Sequence, residues 1–410
     1  MAPWLRLSCY WFFATGALGL YFPYIALYLK ENVGLTGAEA GTILAIPPLI
    51  GIVAQPMWGQ LADRTGSRTR ILSLLCLASG FGYCGLMLPS GFASMALAIF
   101  GFALFISSVI PMANSVSMAA LAREGTSAFG RVRVWGTIGY LIMVVSAPIA
   151  LDAYQERAGA PAVPGGPSEP GLQYAFAGAA VLIWIAALCA RGLPATSQLS
   201  ARAAASDYRT LLSRRDYLRL LVFNFGGYFF LHGPMVLFPV YVRARGGDMG
   251  ELSQLWIWMV ALEIPLVFYS GSIFERFGPK RMIALAIAAG GLRWVICAAS
   301  PSLSTTYPAQ MLHAIVISGL IVGAALYVDR LIPEHLRSTA QSGLTMTSAL
   351  GGILSSTLGG TLLDVAGVDA LYWAGGAGAL LWALLSVVIL PRADQPQDDA
   401  ELTASAQLSP

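Results

Sequence analysis

One polar hairpin lies between two long apolar runs of this chain, and it reads Gly59-Gln60-Leu61-Ala62-Asp63-Arg64-Thr65-Gly66-Ser67-Arg68-Thr69-Arg70. A second hairpin, Gly271-Ser272-Ile273-Phe274-Glu275-Arg276-Phe277-Gly278-Pro279-Lys280-Arg281, repeats the order glycine, acid, arginine, glycine, base. The matching positions, each 212 residues apart, are Gly59 and Gly271, Asp63 and Glu275, Arg64 and Arg276, and Gly66 and Gly278. In a chain of 410 residues, this offset predicts two equivalent halves.

The composition is typical of a protein embedded in a lipid bilayer. Hydrophobic residues make up 57% of the chain and charged residues 11%, and the mean hydropathy is +0.68. Charged residues make up about a quarter of a soluble domain. The net charge of +3 gives no indication of a nucleic-acid partner. The five cysteines show no C-x-x-C spacing, so we expect neither disulfides nor a metal site, and no cofactor is indicated.

Twelve apolar runs are long enough for transmembrane helices, which need about 20 apolar residues each. They predict an all-α membrane protein with an N-terminal six-helix bundle (1–191) and a C-terminal six-helix bundle (216–391). A basic connector (192–215) joins the bundles, and a polar tail (392–410) is expected to be disordered. The predicted spans are 4–29, 39–61, 70–89, 93–121, 129–151, 173–191, 216–242, 251–274, 281–300, 305–330, 337–363 and 370–390.

The distribution of basic residues predicts the orientation. With the N-terminus inside, the cytoplasmic segments carry 19 Lys and Arg residues and the outer segments carry 4. Since cytoplasmic loops carry the excess, both termini are predicted to be cytoplasmic in a multi-pass protein of the inner membrane. The first run follows a single basic residue and lacks a cleavage site, so we interpret it as a retained span.

The first hairpin resembles the signature loop of the major facilitator superfamily, G-x-L-a-D-r-x-G-r-k, which lies between spans 2 and 3. The resemblance implies two six-helix bundles around a site near mid-membrane, with alternating access by rocking of the halves. The hairpin is either a cytoplasmic latch that holds the outward-open state or only a topology signal carried by its arginines. The residues expected to take part in gating are Gly59, Asp63, Arg64, Gly66, Arg68, Gly271, Glu275, Arg276 and Gly278.

A second motif begins span 5 and reads Phe129-Gly130-Arg131-Val132-Arg133-Val134-Trp135-Gly136-Thr137-Ile138-Gly139-Tyr140. It resembles the span-5 motif of the lactose permease group, and its wording is closer to the phenylpropionate permeases and nucleoside:proton symporters. The resemblance implies that Arg133 binds substrate and that Tyr140 stacks on the substrate ring. Alternatively, Arg133 snorkels to the cytoplasm from roughly 6 Å inside the span, and Tyr140 only packs.

Span 4 departs from the lactose permease. There, the span-5 arginine pairs with a span-4 glutamate, whereas the comparable run here is Asn114-Ser115-Val116-Ser117. This departure argues against a disaccharide ligand. Several other side chains are candidates for the wall of a substrate cavity: Tyr24, Tyr28, Asn114, Asn224 and Trp256.

Two charges lie deep in the second half. Glu263 and Arg293 are each predicted to lie roughly 17 Å from the cytoplasmic end of their spans, at about 1.5 Å per residue. Intramembrane charges are costly and indicate function, so we expect these two to pair. The pair either couples protons, with Glu263 as the acceptor, or locks two helices together. His313 resembles the histidine of the lactose permease set, but the proton-bearing glutamate that follows there is Val316 here.

The predicted function is secondary transport rather than catalysis. We expect a monomer in the bilayer that carries a small organic solute, such as an aromatic acid, a nucleoside or a sugar, together with protons. An antiporter or exporter of the same fold is the alternative. A membrane-embedded enzyme should show a motif such as H-x-x-x-H or G-x-S-x-G, and a sensor should carry a soluble output domain; the sequence contains neither.

Overall fold

The computed structural model describes residues 3–121, 126–159, 169–193, 205–268 and 276–390, and every regular element in these ranges is helical. The predicted all-α membrane fold is confirmed. The polar tail, residues 194–204 of the connector and two predicted gating residues, Gly271 and Glu275, lie outside the described residues.

Twelve main helical segments correspond to the twelve predicted spans. They are α1 (Pro3–Tyr21), α2 (Gly37–Thr65), α3 (Arg68–Gly85), α4 (Phe92–Ala120), α5 (Thr126–Ala158), α6 (Tyr174–Arg191), α7 (Arg215–Val236, continued as Phe238–Ala244), α8 (Met249–Ala261, continued as Glu263–Phe268), α9 (Pro279–Ala299), α10 (Leu303–Leu331, in several short turns), and α11 and α12, which share the stretch Arg337–Ile389.

Length and composition alone identify eight membrane-crossing stretches in the described residues, or nine if the bent pair in α7 is one span. The difference from twelve has local causes. The helix α3 begins with two arginines, α8 is broken at Leu262, and α11 and α12 are counted as one. Gly367 separates α11 (337–366) from α12 (368–389) because its φ of +84° cannot belong to a helix.

The predicted turn of the first hairpin is present at Gly66. This residue ends α2 in the left-handed conformation, with φ of +62°, which glycine adopts at little cost. Gly278, its counterpart in the second half, also has a positive φ, of +75°. Both glycines therefore adopt a positive φ, although Gly278, with ψ of 151°, does not lie in the left-handed helical region of Gly66.

The first predicted span is not one continuous helix. The helix α1 ends at Tyr21, and the chain resumes as a short helix, Ile25–Leu27, followed by a wide turn, Tyr28–Asn32. The break contains Pro23. Proline interrupts a helix because it cannot donate the backbone hydrogen bond that a helix interior needs.

The end of the molecule predicted to face outside, here called the outer end, is closed by a contact between the halves at the start of α2. A helix leaves its first four N–H groups without partners. Two of them are satisfied locally, because Thr36 Oγ1 accepts from the Glu39 N–H (3.2 Å) and the Glu39 carboxylate accepts from the Thr36 N–H (2.9 Å). The other two, of Gly37 and Ala38, donate to the Asp364 carboxylate of α11 at 2.6 and 2.7 Å.

A second contact at the outer end joins α7 to the first half. Arg243 forms an ion pair with Glu31 at 3.3 Å and another with Glu169. Nearby, the Ser253 hydroxyl of α8 donates to the Val144 carbonyl of α5 at 2.8 Å. The outer end is thus held shut by charged and polar contacts between the halves.

At the opposite, inner end, the signature hairpin bonds within its own half. Arg68 donates to the Asp63 carboxylate at 2.7 Å and to the Ser115 hydroxyl of α4 at 2.9 Å. The outer end is therefore the closed one in this structure, while the side chain of Asp63 is paired inside the first half.

We expect Asp364→Asn to weaken the outer contact. The asparagine has one acceptor oxygen and no charge, and a hydrogen bond to a charged group contributes roughly 1.5–3 kcal/mol, which corresponds to about a tenfold or larger shift toward an open outer end. Spin labels on cysteines introduced at Leu88 and Ser304, one in each half, should report a new population of longer distances. The five native cysteines are replaced beforehand.

The matched control is Asp369→Asn. Asp369 pairs with Arg245 inside the second half at 2.6 Å, so its replacement should leave the distance distribution unchanged. Equal distributions for Asp364→Asn and Asp369→Asn would contradict the assignment of the outer contact to Asp364.

Candidate functional site

A cavity of about 360 Å³ lies between the two halves. Phe22 of the first half and Trp256 of the second, with ring centroids 5.5 Å apart, belong to its wall and lie toward the closed outer end. The polar and aromatic residues that line it are Thr15, Phe22, Arg133, Thr137 and Tyr140 from the first half and Tyr228, His232, Trp256, Glu263, Arg293, Trp294 and His313 from the second.

Six of the predicted site residues meet at this cavity. They come from α5, α8, α9 and α10, four helices that are distant in sequence. The six are Arg133, Tyr140, Trp256, Glu263, Arg293 and His313. We did not predict Thr15, Thr137, Tyr228 or Trp294. Two of them lie next to predicted features, because Trp294 directly follows Arg293 and Thr137 lies inside the quoted span-5 motif.

Tyr24 and Tyr28 were expected at the cavity, and this expectation is wrong. Both are buried, and neither is among the lining residues. The Tyr24 hydroxyl donates to the Val144 carbonyl at 2.9 Å, and the Tyr28 hydroxyl donates to the Leu86 carbonyl at 3.2 Å. The break after Tyr21 turns these side chains into the packing of the first half.

Asn224 and Asn114 also lie away from the cavity lining, contrary to expectation. The Asn224 amide donates to the Leu344 carbonyl (3.1 Å) and to the Ser348 hydroxyl (2.8 Å), so it joins α7 to α11. Asn114 is partly buried on α4. A polar residue in a span often serves helix packing in this way.

The predicted ion pair between Glu263 and Arg293 is absent. No oxygen of Glu263 lies within 4 Å of a nitrogen of either cavity arginine among the described residues. Glu263 begins the second segment of α8, just after the break at Leu262. Glu263 lines the same cavity as Arg133, which belongs to the opposite half.

Arg293 is satisfied by neutral groups instead. Its side chain is 1% exposed, and its Nε donates to Gln310 Oε1 at 2.8 Å. One terminal nitrogen lies 3.2 Å from His313 Nδ1, and another lies 3.1 Å from the Met259 sulfur. Because a guanidinium only donates, His313 Nδ1 is the acceptor in this contact. The guanidinium also stacks on Trp294, 4.0 Å from the ring centroid.

Comparison with protein families matches residues 4–374 to the model described as the MFS_1 like family. The chain belongs to the MFS_1 like family. A maltose permease of Geobacillus stearothermophilus is 30% identical over 383 residues, which cover 92% of this chain and 89% of the relative. A sucrose permease of Escherichia coli is 22% identical, with 94% and 93% of the two chains covered.

Solved structures of the same fold resemble this MFS_1 like protein over most of its length. The nucleoside transporter NupG superposes with a TM-score of 0.81 at 15% identity, covering 95% of this chain and 99% of that one. A D-xylose-proton symporter gives a TM-score of 0.70 at 14% identity, with 95% and 98% covered. The predicted major facilitator fold and secondary transport of a small solute are both confirmed.

Gln310→Leu should destabilise this MFS_1 like transporter, since the buried guanidinium of Arg293 loses an acceptor. A hydrogen bond to a charged group contributes roughly 1.5–3 kcal/mol, so thermal unfolding of the detergent-solubilised protein should begin a few degrees lower. Gln254→Leu is the control, because Gln254 is exposed and only accepts from the Tyr307 hydroxyl at 3.3 Å. Equal shifts in the two variants would contradict the role of Gln310.

Proposed function

We propose that this MFS_1 like transporter is a proton-coupled symporter of a saccharide. One observation carries the proposal: Arg133 of the first half and Glu263 of the second line the same cavity between the halves. An intramembrane charge is a marker of function, and this pair links substrate binding and proton binding to the relative position of the halves.

The cavity offers the groups that a sugar requires. Arg133 donates no hydrogen bond to a described residue, so its N–H groups are free for hydroxyls. Tyr140, Trp256 and Trp294 offer aromatic faces on which a ring can stack. The volume of about 360 Å³ lies within the usual range for small-molecule pockets.

The names of the relatives support this choice. The maltose and sucrose permeases are joined by a raffinose permease of Escherichia coli, which is 23% identical, with 90% of this chain and 88% of the relative covered. The missing span-4 glutamate alone argues against a disaccharide, and the names of three disaccharide and oligosaccharide permeases carry more weight.

In the proposed cycle, Arg133 holds the solute hydroxyls and Tyr140 stacks on the ring. An ionised Glu263 attracts Arg133 and so competes with the solute for its N–H groups. A proton on Glu263 removes this competition, so the solute and the proton are bound in the same state of the cavity. Arg293 and His313 add a second polar group on the Glu263 side of the cavity. The protein works as a monomer in the inner membrane, with both termini cytoplasmic.

The coupling role of Glu263 can be tested in proteoliposomes with radiolabelled maltose. Glu263→Gln mimics the protonated side chain, so exchange of maltose at equal concentrations should persist while accumulation driven by a pH gradient is lost. Glu156→Gln, at the exposed end of α5, should behave as the wild type. Gradient-driven accumulation by Glu263→Gln would remove Glu263 from coupling, and accumulation only under a reversed gradient would favour antiport.

The solute class can be tested by thermal shift of the detergent-solubilised protein with sugars, nucleosides and aromatic acids. A disaccharide should give the largest stabilisation, and Arg133→Ala should abolish it because the anchoring donors are gone. Arg131→Ala is the matched control, since Arg131 is an exposed arginine two residues away. A stabilising ligand whose effect survives Arg133→Ala does not use Arg133.

A further inference from the structure

Trp11 lies directly beneath the guanidinium of Arg133. The Arg133 Cζ atom is 4.5 Å from the centroid of the Trp11 ring, a distance typical of a cation–π contact. Trp11 is fully buried on α1, and its indole N–H donates to the Ser117 hydroxyl of α4 at 3.0 Å. Three helices of the first half therefore meet around one arginine.

The span-5 motif contributes a second contact to the same ring. Phe129 packs edge-on against Trp11, with the ring centroids 6.5 Å apart. Phe129 and Arg133 are one helical turn apart, so they lie on one face of α5. The aromatic and the second arginine of the motif thus share a partner that the motif itself does not contain.

The position of Trp11 explains how Arg133 is held without a carboxylate. No acidic oxygen of the described residues lies within 4 Å of Arg133. The cation–π contact with the indole uses none of the guanidinium's N–H groups, so they stay available as donors. Ser117 lies in the α4 run that lacks the expected glutamate, and it orients the indole rather than the arginine.

We propose that Trp11 is a positioning residue for Arg133 and that Ser117 fixes the plane of its ring. The proposal rests on the proposed function only in that Arg133 anchors the solute. A guanidinium held by its face presents two parallel donors along its edge, which match a pair of neighbouring hydroxyls. Trp11 therefore selects solutes that offer such a pair of oxygens.

Gly136 completes this arrangement. A Cβ atom at this position would lie 2.7 Å from the Arg133 Nη1 atom and 2.8 Å from the Thr15 hydroxyl. The absence of a side chain at Gly136 therefore leaves room for the guanidinium over the ring. Gly136→Ala should displace the guanidinium of Arg133 without replacing either Trp11 or Arg133.

The contact can be tested without any solute by a double-mutant cycle in thermal unfolding. Trp11→Leu should lower the unfolding temperature less in an Arg133→Gln background than in the wild type, because the contact is already lost. Additive shifts would overturn the proposal. Trp135→Leu, an exposed tryptophan two residues from Arg133, should give the same shift in both backgrounds.

The positioning role can be tested by maltose exchange in proteoliposomes. Trp11→Leu and Gly136→Ala should each raise the half-saturating maltose concentration roughly 2- to 30-fold, the range of a cation–π contact, with little change in maximal rate. Trp11→Phe, which keeps an aromatic face, should recover most of the affinity. An unchanged affinity in both variants, or a loss only in maximal rate, would overturn the role.

The two tests separate the possible failures. If the wild type neither binds nor exchanges maltose, the proposed saccharide function fails, whereas the unfolding cycle still decides whether Trp11 holds Arg133. If maltose is exchanged but the cycle is additive, the function stands and the positioning role fails.

Discussion

The cost of an unpaired polar group in a bilayer determines where this transporter places its few charges. Within the membrane, a charge requires a partner or a polar cavity. Arg293 obtains neutral acceptors from Gln310 and His313, and Arg133 obtains the face of Trp11. Glu263 faces the cavity and the charge of Arg133 across it. The central cavity is therefore the place where each half contributes a charge, Arg133 or Glu263, that has no ion-pair partner among the described residues of its own half.

The same constraint shapes the outer end. Backbone N–H groups without partners are costly near the membrane, and α2 satisfies only half of its initial set by its own capping box. The Asp364 carboxylate supplies the rest from the opposite half, so closing the outer end completes the hydrogen bonding of a helix. At the inner end, α11 begins at Arg337 without a side-chain cap, while Asp63 lies in the last turn of α2. A latch at Asp63 would accept hydrogen bonds from the first N–H groups of α11 at the inner end, as Asp364 does for α2 at the outer end.

Hydropathy and glycine positions predicted the spans and the turn at Gly66, because these depend on local sequence. The partners inside the membrane were harder to predict. A rise of about 1.5 Å per residue gives the depth of Glu263 and Arg293, but it does not give the side of the helix on which each lies. The break at Leu262 changes that side for Glu263, and Gln310 already serves Arg293. Likewise, the break after Tyr21 redirected two tyrosines into packing.

The missing span-4 carboxylate has a consequence for the proposed proton coupling. An arginine paired with an acid in its own half is already neutral, and protonation in the other half would then matter little to it. Stacking on Trp11 holds Arg133 in place but leaves its charge uncompensated within the first half. The acid that lines the same cavity is Glu263, in the second half. Because an aromatic face replaces an ion pair at Arg133, the charge on Glu263 in the second half acts on an arginine of the first half.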